Sequence, residues 1–194
     1  MLFKLKLILF FLSALPVCRL QQDFSFDLAV AAEQLTKDEV TYNGSYFSIP
    51  YPNGDIPAQY GVCTDVVIRA YRKVGIDLQQ LVHEDMKENF KEYPQLWGLK
   101  KPDTNIDHRR VPNLGKFFER NGTILPISKD KSNYLPGDVV TWVLTNKMTH
   151  IGIISTKKDS KTGNPLVVHN IGAGQVLEDC LFKFTITGHY KYGK

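Results

Sequence analysis

The chain has 194 residues, 43% of them hydrophobic, and a formal net charge of +4. That length suffices for one globular unit with a full core. The charge surplus is small, Lys4, Lys6 and Arg19 all fall at the very start, and no aromatic-interleaved basic patch follows; nucleic acid is therefore disfavoured as a partner.

The opening stretch reads as an export signal. Lys4 and Lys6 precede an apolar run from Leu7 to Leu15, then Pro16 and the polar Gln21-Gln22-Asp23. The run is shorter than the roughly 20 apolar residues a spanning helix needs. No small-x-small cleavage pattern is present, and Val17 before Cys18 is bulkier than a lipid-modified cysteine would want. The expected organisation is a signal peptide over 1–20 and a single domain over 21–194. The product is expected to be secreted or periplasmic, to meet the membrane only during export, and to be a monomer; an uncleaved anchor is the alternative.

In chain order, Asp23 to about Val40 carries an imperfect helical stripe of Ala29, Val30, Ala32 and Leu35. Thr41 to Tyr60 is turn-rich and aromatic. From Cys63, apolar residues at 66, 67, 70, 71 and 74 keep the i, i+3, i+4 rhythm of a one-sided helix that Gly75 stops. Leu78 to Leu99 suggests a broken helix interrupted by Pro94, and 100–113 a polar connector. A short helix follows around Phe117-Phe118 and stops at Gly122. Beyond Ile124 the texture turns to strands: Val139–Leu144 after a Pro136-Gly137-Asp138 turn, His150–Ser155, Leu166–Asn170, and a last one within Phe182–Tyr190. Helices first and antiparallel strands after predict an α+β domain.

Cys63 opens a helix, where the macrodipole and unpaired N–H groups favour thiolate. If the strands around the polar loop 157–163 pair with position 150 facing 169 and 154 facing 165, the turn centres at Asp159-Ser160 and His150 meets His169. Gly152, on the same face, leaves room for a closely packed backbone such as the start of the cysteine helix. One thiol and two imidazoles then make a nucleophile, a base and an orienter. Trp142 reads as core. His83 and His189 read as surface or structural, and Cys180 as structural, with a Cys63–Cys180 disulfide as the alternative in an oxidising compartment. One Cys and two His could also hold zinc, but no C-x-x-C or H-x-x-x-H spacing supports it; neither metal nor cofactor is expected.

Gly61-Val62-Cys63-Thr64-Asp65, Pro136-Gly137-Asp138-Val139-Val140, His150-Ile151-Gly152-Ile153 and Val168-His169 together resemble the NlpC-type cell-wall peptidases of the papain-like clan. Pro50-Tyr51-Pro52-Asn53-Gly54 resembles their Pro-Tyr-x-x-Gly segment. Val82-His83-Glu84-Asp85-Met86, Asn105 to Leu114 and His169-Asn170-Ile171-Gly172-Ala173-Gly174 look like the YijF-like bacterial family of unknown function, over nearly the whole chain beyond the signal. The resemblance implies a papain-like, NlpC-type α+β fold with the nucleophile helix packed on the sheet. It implies Cys63 as nucleophile, His150 as base, His169 as third residue, and Tyr51 lining the substrate site. Thr64-Asp65 stands where the peptidases usually carry Ser-Gly. Asp65 is therefore a candidate contact for a substrate amine, and Arg109 and Arg110 for its carboxylates.

The expected activity is that of a cysteine amidohydrolase or endopeptidase on peptidoglycan stem peptides or another peptide amide. The alternatives are an inactive envelope-binding module and a thioester-forming acyltransferase.

Overall fold

The computed structural model describes residues 24–193; the expected signal peptide lies outside them. Helix α1 (Phe24–Leu35) buries Leu28, Ala29, Ala32 and Leu35 and ends in a turn before reaching Val40. A two-residue strand β1 (Thr41–Tyr42) pairs in parallel with β2 (Tyr60–Gly61), bringing Tyr42 alongside the residues that lead into Cys63.

Helix α2 (Cys63–Lys73) follows the predicted stripe: Val66, Val67, Ala70 and Tyr71 are all fully buried. Its last turn is basic, and Gly75, at φ +85°, makes the left-handed step that ends it. Helix α3 (Leu78–Asn89) starts on an Asp77 cap, whose side chain accepts from Gln79 N. It breaks into a 3-10 turn at Phe90–Glu92, before Pro94. The polar connector contains another 3-10 turn (Asp107–Arg109), and helix α4 (Val111–Asn121) starts three residues earlier than the sequence suggested, with Pro112 in its first turn.

The rest is sheet. β3 (Thr123–Ile124), β4 (Val139–Val143), β5 (Thr149–Lys158), β6 (Pro165–His169), β7 (Val176–Glu178) and β8 (Thr185–Lys191) pair antiparallel in the order β3-β8-β4-β5-β6-β7. Alternation along the strands divides the core between two faces. Val139, Ile151, Ile153 and Val168 join the helical residues Leu28, Val66, Leu114 and Phe118, while Val140, Trp142, Ile154 and Val167 pack with Tyr134, Cys180 and Leu181. The chain is thus the expected α+β protein, with the Cys63 helix lying on β5 at the middle of an antiparallel sheet.

One expectation is corrected. The β5–β6 register runs Ile153↔Val168 and Ile154↔Val167, which sets His169 level with Gly152 rather than with His150. A bulge between Ile154 and Lys158 and a longer loop account for the two-residue difference. Asp159 closes that loop, its side chain accepting from Lys161 N and Thr162 N and its backbone pairing with Gly163 and Asn164. The turn therefore centres beyond Asp159-Ser160. The room at Gly152 is filled by β6, not by the cysteine helix: a Cβ there would lie 2.7 Å from Val167 Cγ1 and 2.9 Å from Val168 O.

Candidate active site

Cys63 is the first residue of α2 and is only 6% exposed. Burial dominates its chemistry, pushing the thiol up to about 12. The Asp65 charge adds to the rise, while backbone N–H groups of Ile151, Thr64 and Cys63 itself work against it. The thiolate expected from the helix terminus is therefore not the resting form, because desolvation outweighs the dipole. The Ile151 amide that acts on the sulfur belongs to the residue next to His150. Among the described residues no hydrogen bond joins the thiol to either imidazole. Cys63 and Cys180 are both free, which removes the disulfide alternative.

The two histidines do meet. His150 sits at the start of β5, 3% exposed, and His169 ends β6, fully buried. They lie diagonally on one sheet face, His150 Nε2 is 2.9 Å from His169 Nδ1, and the rings stand edge to face at 85°. Absence of a side chain at Gly152 lets the His169 ring reach across. Burial, reinforced by His169, holds His150 down to about 3; burial also lowers His169, opposed by Glu178. Both rings therefore rest neutral, so one nitrogen of the 2.9 Å pair donates and the other accepts. Trp142, opposite His150 on β4, is core as expected and donates to Leu181 O.

The four expected substrate contacts fare differently. Asp65 and Arg109 are buried against each other: Nε to Oδ1 is 2.8 Å and Nη2 to Oδ2 is 3.1 Å, with side chains 2% and 1% exposed respectively. Asp65 also accepts from Val62 N at 2.8 Å, capping the nucleophile helix, and Arg109 donates to Ser45 O. Neither has a free edge for a ligand, so this pair is a foundation under α2 and not a substrate clamp. Arg110 lies 4.0 Å over the Trp97 ring and bridges to Asp107. Tyr51 packs on His83 of α3, in a loop fastened by Gln79 to Gly54 N, Pro50 O and Thr104 O. No bond or ring contact links Arg110 or Tyr51 to Cys63, His150 or His169 among the described residues.

Three neighbours of the site were not anticipated. Tyr42 stands close enough to Cys63 and Asp65 for their charges to help burial raise its phenol, and it is 40% exposed. Glu178 Oε2 and Cys180 Sγ lie 3.3 Å and 3.4 Å from His169 Nε2. Glu178 was legible in principle. The Gly172-x-Gly174 turn after His169 implies a hairpin, and its register (Val167↔Glu178) sets Glu178 diagonal to His169. His189, read as surface or structural, is buried and bonded to Asp138 at 2.8 Å, which makes it structural. A surface hollow of about 840 Å3 lined by Asp55, Arg69, Arg72 and Gln175 includes none of Cys63, His150 or His169. Among the described residues no group of three or more His, Cys, Asp or Glu side chains converges as a metal site.

The α+β fold sets a helix-opening cysteine against a strand that carries one half of a buried histidine pair. Residues 29–192 match the model of a family described as a domain of unknown function (DUF1287), and the chain belongs to that family. A protein of Escherichia coli (strain K12) described as uncharacterized protein YijF is 49% identical over 176 residues, which cover 91% of this chain and 85% of that one. The structure of NlpC1 from Trichomonas vaginalis aligns over 89% of this chain at 17% identity and a TM-score of 0.45; this chain spans 46% of that one.

Proposed function

We propose that the chain is a cysteine amidohydrolase or endopeptidase of the bacterial envelope that cuts amide bonds in peptidoglycan stem peptides. The observation that carries this reading is that β5 carries both His150, bonded to His169, and the Ile151 amide that acts on the Cys63 sulfur. With Nε2 of His150 committed to His169, Nδ1 is the nitrogen left to serve the thiol. The reaction begins when the thiol proton passes to His150 Nδ1 as sulfur forms a C–S bond to the amide carbonyl and the carbonyl π pair moves onto oxygen. N–H groups at the start of α2 are available to that oxyanion. Collapse breaks the C–N bond, and the amine leaves with the proton from His150. Water then gives a proton to His150 and its oxygen bonds the thioester carbon; the C–S bond breaks and sulfur recovers the proton.

The test is release of soluble peptides from purified sacculi by the protein and by Cys63→Ala. Release that depends on Cys63 is expected, and equal release by the variant refutes the reading. Added amine acceptors report whether the thioester is passed to an amine instead of water.

A second reading, a non-catalytic envelope-binding module, is favoured by the buried, raised thiol. It predicts sacculus binding without release, unchanged in Cys63→Ala.

A further inference from the structure

The row of side chains crossing β5 and β6 continues one strand further. Glu178, the last residue of β7, presents Oε2 to His169 Nε2 at 3.3 Å, and Lys183 Nζ holds its other oxygen at 3.1 Å. Glu178 is 39% exposed at the side chain, whereas His169 is fully enclosed, so the carboxylate forms the outer end of a chain that runs inward to His150.

We propose that Glu178 is a positioning residue for the hydrolysis set out above, on which this inference rests: it dictates which nitrogens of both imidazoles carry their protons. An ionised carboxylate accepts and cannot donate. Facing one, neutral His169 keeps its hydrogen on Nε2, which leaves Nδ1 as acceptor. The 2.9 Å contact must then be donated by His150 Nε2–H, which leaves His150 Nδ1 with a bare lone pair, the only arrangement in which that atom accepts a thiol proton. The alternative order, with His169 donating from Nδ1, would put the hydrogen of His150 on Nδ1 and leave it nothing to accept with. The logic is that of the triad carboxylate moved outward by one ring.

Cys180 Sγ is the other neighbour of His169 Nε2, at 3.4 Å, but a thiol is both a weak donor and a weak acceptor and suits either tautomer, whereas the carboxylate suits one. Of the charged groups acting on His169, Glu178 favours a protonated ring and Lys183 opposes it. Glu178 therefore also offsets the positive charge that the inner ring acquires during the reaction.

The experiment uses the full chain labelled with 15N-histidine, and reads the ring nitrogens through their long-range proton correlations at pH 7.5. Nε2–H tautomers at both His150 and His169 are expected, with His169 losing that preference in Glu178→Ala and retaining it in Cys180→Ala. On a cleaved stem peptide, Glu178→Ala should lower kcat about 10- to 100-fold with little change in KM, as loss of an orienting partner does elsewhere. His169 in the Nδ1–H form in the parent chain, or unmoved by Glu178→Ala, overturns the inference. The spectrum needs no substrate, so its outcome is independent of Cys63→Ala on sacculi, which decides the hydrolase reading. Glu178 lies at the surface edge, and the dispersion of the same spectrum shows whether each variant is folded.

Discussion

Replacing Arg109 with methionine keeps an unbranched apolar stem and removes the charged fork. Asp65 would then keep only the Val62 amide as a partner, in a position where its side chain is 2% exposed. Removing one member of a buried ion pair costs about 3–5 kcal/mol, because the other is left as an uncompensated charge. Over the residues from 24 to 193, unfolding entropy of ~2.1 cal/mol/K per residue amounts to roughly 0.36 kcal/mol/K, so the expected fall in Tm is about 8–14 °C. The matching urea titration should lose midpoint and keep its slope. Asp65→Ala combined with Arg109→Met should recover part of the loss, since no lone charge then remains. If Arg109 instead served a ligand carboxylate, the single variant would melt within about 2 °C of the parent and reveal itself as a raised KM, and the foundation role would be refuted.

Acid should destabilise the fold well before ordinary carboxylates protonate. Burial holds His108 and His150 down to about 3 and lowers His169, against an ordinary 6.5. The unfolded chain thus takes up protons that the fold refuses; this contribution is intact above about 6.5 and is lost as pH falls toward about 3. Asp107, pushed up to about 6 by burial, works the other way, its share being lost as pH rises through 6, but it is one group against four, since His83 is lowered too. Urea midpoints should decline from pH 7.5 to 4.5, and a flat profile would contradict this. Cys63 and Cys180, each pushed up to about 12, should resist a disulfide reagent at pH 8 and react on unfolding, since thiolate is roughly 1,000-fold scarcer than at the ordinary value of 9. Rapid native labelling of Cys63 would show an open, activated thiol instead. Gly152→Ala, whose new methyl meets Val167 Cγ1 at 2.7 Å and His169 Cβ at 3.2 Å, should cost about 1–3 kcal/mol and lower Cys63-dependent turnover by disturbing the histidine pair. Parent-like stability and turnover would count against that packing.

Features carried by local pattern were legible in the sequence. The stripe from Val66 to Val74 with its Gly75 stop predicted α2, and β-rich runs punctuated by turns predicted β4, β5, β6 and β8. What escaped depended on distance. Arg109 reaches Asp65 across 44 positions and His189 reaches Asp138 across 51, and in the sequence each looks like an unattached polar residue. The meeting of His150 and His169 was anticipated from an incorrect register, and it survives because diagonal neighbours on one face are also within reach of long side chains. A helix start reports the dipole but not the burial that overrides it, so the sequence predicts a thiolate at Cys63 where burial favours the thiol.

The strand registers set the distances within the row of His150, His169 and Glu178. A slip of one position inside any of the three strands turns a member to the opposite face. The site is thus encoded in whole steps: the order of the imidazoles stays as it is or is lost outright.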